Sequence, residues 1–394
     1  MTVRCVGALS RSGSNFHCFV APRLGSALTG LCLILTSVAA RAQGVDVNPR
    51  TDKIYVANLI SKSVTVIDGQ TNSTTSVAAN TAPGVVAVNP VTNRIYVTNG
   101  TTDDVTVIDG ATNSTTTVTV GTNPGAVAVN AATNKIYITN YKGNDVTVID
   151  GMTNDTTTVA AGEWPTAVAV NPATNKIYVA NFRSNDVTVI DGATNSTTTV
   201  AVGQYPNTVA VNPVTNTIYV INGHDNDMTV IDGATSRTTT VPVGIQPNAV
   251  AVNAVTNKIY VVNSDSNDVT VVDGTTNRTT AVPAGRQPNA VGVNAVTNRI
   301  YVTNPASRNV TVIDGATNRT ATIAALARPW AVAVNAVTNK IYVTNIESDA
   351  PTVIDGATNR TATIAADVEP SKQVGQYLST QEKTYYGTWH RNRP

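Results

Sequence analysis

The residues able to do acid–base or metal chemistry are few in this chain, and most recur too regularly to form a single site. Its 394 residues include 3 histidines, His17, His224 and His390. There is no histidine cluster, cysteine ligand set, Gly-x-Ser-x-Gly elbow or phosphate loop. The most conspicuous carboxylates belong to the dipeptide Asp-Gly, at Asp68, Asp109, Asp150, Asp191, Asp232, Asp273, Asp314 and Asp355. A catalytic centre needs distinct groups converging once. Recurring copies of one carboxylate read instead as turns, with Asp accepting backbone N–H groups two residues on and Gly accepting positive φ. The pairs Asn144-Asp145, Asn185-Asp186, Asn226-Asp227 and Asn267-Asp268 offer oxygens to Ca²⁺, and His224-Asp225-Asn226-Asp227 is the richest of these loops. Calcium requires about 6–8 converging oxygens, more than one such loop holds. A carboxylate site built from Glu163, Asp225 or Glu347 with an arginine is the remaining acid–base constellation. No cofactor and no metal are expected.

The Asp-Gly series implies an architecture, because its members are each 41 residues apart. The Ile-Tyr pairs from Ile54 and the prolines from Pro83 keep the same step, and nothing breaks the register between residues 44 and 370. A fixed period of this length marks a repeat array. In the unit 124–164 four β-prone runs follow one another: Gly125–Asn130, Lys135–Asn140, Asp145–Asp150 and Thr156–Ala161. Each ends at a turn-forming residue. A lone four-stranded sheet with Val and Ile on both faces cannot hide them from water. Packing blade on blade around an axis buries both. The expected fold is therefore an all-β propeller of eight four-stranded blades, with seven blades plus extra strands as the alternative.

The segments Ile95–Asn99, Ile300–Asn304 and Ile341–Asn345 read IYVTN and lead into VTVIDGATN or close variants of it. In motif, order and period this resembles the YVTN-repeat β-propellers, a group of secreted or cell-surface prokaryotic proteins that includes YncE-like periplasmic propellers. The resemblance covers residues 44–370. It implies a propeller fold and leaves function open, with surface-layer roles suggested and DNA binding described for some relatives.

Variation between repeats concentrates in two loops, one joining the second and third strands and one joining each blade to the next. In a four-stranded meander both emerge on one face, and loops on a rigid scaffold are where binding groups gather. This face is expected to carry Tyr141, Trp164, Phe182, Arg183, Tyr205, His224, Arg286, Arg308, Arg328 and Trp330, several of them of the types enriched at binding hot spots. The opposite face repeats one basic position, Lys53, Arg94, Lys135, Lys176, Lys258, Arg299 and Lys340, with Thr217 as the exception. Arg237, Arg278, Arg319 and Arg360 extend it into a basic arc. The neighbouring aspartates are expected to neutralise much of it, so nucleic acid is not the favoured partner.

Residues 1–42 read as a secretory signal: three arginines without an acid, an apolar run from Leu24 to Ala40, and cleavage after Ala42. The 3 cysteines, Cys5, Cys18 and Cys32, would leave with it, and so would four arginines. That leaves 22 basic against 25 acidic residues, a net charge of −3. Such a chain would be thiol-free, without a transmembrane segment, and monomeric. The repeat domain spans 43–370, and 371–394 form an irregular tail. With no spare strand evident, the ring should close by face packing alone. The expected function is a secreted or periplasmic, non-enzymatic binding or surface-structural module working through its variable loops. An unknown protein, glycan or envelope component would be the partner. The alternatives are an enzyme with its site at the central mouth and a nucleic-acid binder using the basic rim.

Overall fold

The computed structural model describes residues 44–325, 327–346 and 348–364. The described residues all belong to one compact unit. The expected signal segment, its cysteines, the tail from 371, and also Leu326 and Glu347 lie outside the described residues.

Among the described residues, 32 strands form eight antiparallel sheets of four, each supplied by a single repeat. In blade 3 the inner strand is Pro124–Asn130, followed by Lys135–Asn140, Asp145–Asp150 and the outer Thr156–Ala160. The blades form a ring, so this is an eight-bladed propeller and the seven-blade alternative is set aside. Among the described residues no strand is shared between repeats.

Alternation in the second strand decides what each blade face carries. Ile136 and Ile138 point to one side, Tyr137 and Thr139 to the other. Tyr137 joins Val146, Val148 and Val159 of its own blade in a cluster with Ile177, Val179 and Ile190 of the next. Ile136, Ile138 and Ile149 in turn receive Tyr96 of the preceding blade. All eight apolar clusters have this two-blade form. The core is thus eight interfaces rather than one centre. Burying each large apolar side chain contributes roughly 1.5–3 kcal/mol as an upper estimate, so packing dominates each interface. The eight tyrosine hydroxyls are buried there with no hydrogen-bond partner among the described residues. Burial pushes the phenols up, to about 12 for Tyr55, Tyr137 and Tyr260.

Hydrogen bonds clasp the same interfaces. Asn130 Nδ2 donates to Asn175 Oδ1 of the next blade at 2.8 Å. The repeated basic residue also reaches forward: Lys53 Nζ donates to Gly110 O at 2.7 Å, Arg94 Nη1 to Gly151 O at 2.7 Å, and Lys258 Nζ to Gly315 O at 2.6 Å. Lys135, Lys176, Arg299 and Lys340 make the equivalent bond. These cations therefore do more than balance their own aspartates, because they tie each blade to the Asp-Gly turn of its neighbour. In blade 5, Thr217 Oγ1 turns back to Thr215 instead.

The seam between the last blade and the first uses all three devices. Tyr342, Val353 and Ile364 pack on Ile54, Val56 and Ile67. Asn335 Nδ2 donates to Asp52 Oδ1 at 2.7 Å, and Lys340 Nζ donates to Gly69 O. Closure by face packing alone is therefore corrected, since hydrogen bonds cross the seam as they cross every other joint.

The turn chemistry also differs from expectation in one respect. Asp191 Oδ1 accepts from Ala193 N at 2.9 Å and Thr194 N at 3.0 Å, as expected, and these bonds hold its carboxyl below the usual range, the one from Thr194 most. Positive φ, however, falls on Asn195 (φ 59°) and not on Gly192. Gly192 is required because its N–H donates to Asn175 O at 2.8 Å, and a Cβ there would collide with Asn175 Oδ1. Close approach of two turns selects the glycine.

One inner-strand residue departs from the repeat. Asp46 occupies the position held by Ala87, Ala128, Ala169, Ala210, Ala251, Gly292 and Ala333 elsewhere. Its Oδ2 accepts from Val88 N of blade 2 and its Oδ1 from Val47 N, both at 2.8 Å. Burial nevertheless raises its pKa from 3.8 to about 6.

Because that folded value lies above the unfolded one, the linked stability is full below pH 3.8 and is lost as pH rises through about 6. Asp46→Asn should therefore gain stability relative to the parent between pH 4 and pH 7, read from urea midpoints. A difference that stays constant with pH would contradict the assignment. A second substitution tests the clasp. Thr217→Lys should reach the Gly274 carbonyl and add about 1 kcal/mol, raising the midpoint, whereas an unchanged or lower midpoint would mean that the lysines contribute only charge.

Candidate functional site

The two variable loop sets do share a face, and backbone bonds knit them together. Tyr141 N donates to Asn123 O at 3.0 Å, Phe182 N to Trp164 O at 2.9 Å, and Gly223 N to Tyr205 O at 3.1 Å. A second set of bonds crosses between blades. Asn144 Oδ1 accepts from Trp164 N and Asn185 Oδ1 from Tyr205 N, both at 2.9 Å. The aspartate that follows each of these asparagines is engaged as well: Asp145 and Asp186 accept from Asn140 and Asn181 at 2.5 and 2.6 Å.

The Asn-Asp pairs considered as calcium ligands are thus loop clamps. In the His224–Asp227 loop, Asp225 accepts from Gln204 N at 2.7 Å, Asn226 Oδ1 from Gln246 N at 2.8 Å, and Asp227 Oδ1 from Asn222 Nδ2 at 2.7 Å. The Gln204 bond holds the Asp225 carboxyl below its usual range, while burial raises that of Asp227. Each of these three side chains already accepts from a different part of the chain, and no metal-type cluster occurs among the described residues.

The residue held by each clamp, the clamp being Asp103 for Asn123 and an asparagine for the others, has left-handed backbone: Asn123 at φ 58°, Trp164 at 58°, Tyr205 at 55°, Gln246 at 55° and Gln287 at 50°. Asparagine suits that conformation and a bulky aromatic does not. Trp164 and Tyr205 are therefore placed against local backbone preference, at about 1 kcal/mol each.

What they gain is each other's company. Tyr141 and Trp164 lie 5.2 Å apart between ring centroids, Trp164 and Phe182 6.4 Å, Phe182 and Tyr205 4.8 Å, and Tyr205 and His224 5.4 Å. Two pairs are stacked at 19° and 11°, and His224 meets Tyr205 edge-on at 85°. The result is a ladder of five rings over blades 3, 4 and 5, four of them half-buried and His224 exposed, drawn alternately from the two loop sets. Arg183 covers Trp164, with Cζ 4.9 Å from the ring, and pairs with Glu163 at 3.3 Å. His224 Nδ1 lies 3.2 Å from Asp225 Oδ1. The charges beside the ladder therefore occur as opposed pairs when His224 is protonated.

Six of the ten residues named from the sequence come together in this way: Tyr141, Trp164, Phe182, Arg183, Tyr205 and His224. The other four do not extend the ladder. Arg286 and Arg308 are exposed on loops of the blade 7 region, and Arg328 precedes blade 8. Trp330, expected in a loop, lies in the inner strand Pro329–Asn335, where its carbonyl accepts from Thr303 Oγ1 at 2.8 Å and Asn289 Nδ2 at 3.1 Å. It belongs to the rim of the central mouth. Thr166, Asn207 and Asn248 hold the same inner-strand position in blades 4, 5 and 6 and donate to Pro206, Pro247 and Pro288 carbonyls at 3.2, 3.0 and 3.3 Å.

Sequence reasoning missed Asp46 and the asparagine clamps. Comparison of the repeats held a signal for the first, since Asp46 alone breaks a run of small residues. It held none for the clamps, whose partners are 20 residues away.

No protein-family model matches the chain, and a search of curated proteins finds no match. Solved structures are similar to it. Hydrazine synthase of Kuenenia stuttgartiensis aligns with a TM-score of 0.56 at 16% identity, covering 72% of this chain and 95% of that one. Dihydro-heme d1 dehydrogenase NirN, in complex with DHE, aligns with a TM-score of 0.67 at 14% identity, covering 79% and 72%. A functionally unknown protein from Desulfotomaculum acetoxidans gives 0.57 at 13%, covering 70% and 96%. At these identities the likeness shows the propeller fold alone.

Proposed function

We propose that this chain is an exported, non-enzymatic propeller of the YVTN-repeat kind that binds an envelope component, protein or glycan, through the ladder Tyr141–Trp164–Phe182–Tyr205–His224. One observation carries the reading. Trp164 and Tyr205 occupy backbone positions that favour asparagine, so their side chains are kept for what they present and not for the turn they make. Mutual stacking holds the rings rigid before any partner arrives, which lowers the entropy lost on binding. The arginine over Trp164 adds a group of hot-spot type. Repeat motifs and the leader composition support export and the family.

A catalytic reading draws on the two enzymes among the similar structures. The mouth of this ring offers amides and hydroxyls at Thr166, Asn207, Asn248 and Asn289, already donating to neighbouring carbonyls. Such groups position ligands but do not exchange protons near neutral pH, and Asp46 of the inner strand, whose pKa is raised to about 6, is already engaged by two backbone N–H groups, which favours binding over acid–base chemistry.

The test is the double variant Trp164→Asn, Tyr205→Asn, which installs the residue blade 3 already uses. Relief of positive φ, about 1 kcal/mol per site, offsets lost ring contacts of about 0.5–1.5 kcal/mol. The ring should therefore stay folded by circular dichroism. Co-sedimentation with native envelope material should fall at least about tenfold, as loss of a hot spot requires. Undiminished retention of the folded variant would contradict the proposal.

A further inference from the structure

The face opposite the ladder bears the turns between first and second strands and between third and fourth strands, which meet through bonds such as Gly110 N to Asn93 O at 2.8 Å. Its overall monotony hides a division between two halves of the ring. In blades 5 to 8 the tip of the first turn is Val214, Val255, Val296 and Val337, with exposures of 76%, 77%, 78% and 75%. Blades 1, 3 and 4 carry Arg50, Ala132 and Ala173 there, and blade 2 carries Val91 at 53%. In the same four blades, and in no others, the second turn carries an exposed arginine: Arg237, Arg278, Arg319 and Arg360. Blades 1 to 4 have Ser73, Ser114, Asp155 and Ser196 instead.

Two turn positions thus change at the same boundary, the first becoming valine and the second arginine in every blade from the fifth on. The valine tips are held outward by their turns. Val255 N donates to Asn253 Oδ1 and Val296 N to Asn294 Oδ1, both at 3.1 Å. The turn charges add in the same sense. In blades 6, 7 and 8 two basic residues stand against one aspartate, as with Lys258, Arg278 and Asp273, while blade 3 sets Lys135 against Asp150 and Asp155. Near-neutrality of the whole chain conceals this asymmetry.

We propose that blades 5 to 8 of this face dock on an anionic lipid surface, the arginines meeting headgroup phosphates and the valine tips entering the interfacial region. Phosphate attraction alone would suit any polyanion. Exposed valine on the same face of the same blades as the arginines gains only where hydrocarbon lies beneath the charge. A lipid surface is the partner that satisfies both series at once, and it would leave the ladder facing away from the membrane. The inference is independent of what the ladder binds.

The experiment is sedimentation of the full chain with vesicles of phosphatidylcholine or of phosphatidylglycerol. Binding is expected to phosphatidylglycerol only, and to weaken with added salt. Arg278→Ser, Arg319→Ser, Arg360→Ser together should lower the partition coefficient about a hundredfold, on the order of fivefold per arginine. Val255→Ala, Val296→Ala, Val337→Ala should weaken binding further at high salt, where charge is screened. Both triple variants use residues found at the same positions in other blades, so folding is expected and is checked by circular dichroism. Three results would each overturn the proposal: no sedimentation with either lipid, equal binding of both lipids, or a valine variant that binds like the parent while polyphosphate displaces both.

Discussion

A blade of this protein has two apolar faces and no means of covering either by itself. One face carries Tyr137 and its valines and the other Ile136, Ile138 and Ile149, so each unit must both give and receive. That constraint accounts for the strictness of the repeat. An insertion in a strand would move a tyrosine to the wrong face, because side chains alternate with period two. It also accounts for the hydrogen bonds. Asparagine and lysine clasps lie at the edge of a packed interface and fix which turn meets which, while the bulk of the stabilisation comes from burial. The ring closes because the last unit is as incomplete as the first, and their exposed faces match.

Strand order, blade number and the shared face of the variable loops were legible in the residues, because periodicity and turn chemistry are local signals. In blade 3 the second and third strands fall where the alternation in KIYITN and DVTVID places them, and the first and last differ by one residue. The cross-blade partners were not legible. Nothing in the local sequence says that Lys135 reaches Gly192 or that Asn130 reaches Asn175, since those pairings depend on the angle between blades. The role of the Asp-Gly glycine was misread for the same reason: a turn seen alone suggests positive φ, whereas the close contact comes from another turn. The candidate site was half legible. Repeat comparison named the aromatic residues of the variable loops, but that five rings form one ladder while Trp330 joins the mouth needed three-dimensional placement.

Against an eightfold background, departures from the repeat become the informative features. The scaffold is served by identical residues at every blade, so a residue that occurs once or in a block answers to something else. Trp164 and Tyr205 accept an unfavourable backbone conformation, and Asp46 accepts burial of a carboxyl group. The block of valines and arginines in blades 5 to 8 leaves apolar tips in water. These departures lie at three places, the two faces and the inner wall, and none disturbs the packing between blades. The candidate functional residues and the packing residues thus occupy different positions of the same 41-residue unit.

Closure of the ring through the blade 8 to blade 1 seam is what the account depends on, and a distance measurement across it is the direct test. Val255, Val296, Val337 and Arg50 are equivalent exposed turn tips of blades 6, 7, 8 and 1. With the 3 native cysteines replaced, spin labels can be placed in pairs at these positions and compared by double electron–electron resonance. Val337–Arg50 should give the same narrow distance distribution as Val255–Val296, because both pairs bridge neighbouring blades. A longer or broad distribution for Val337–Arg50 alone would show an open array and contradict the closed ring.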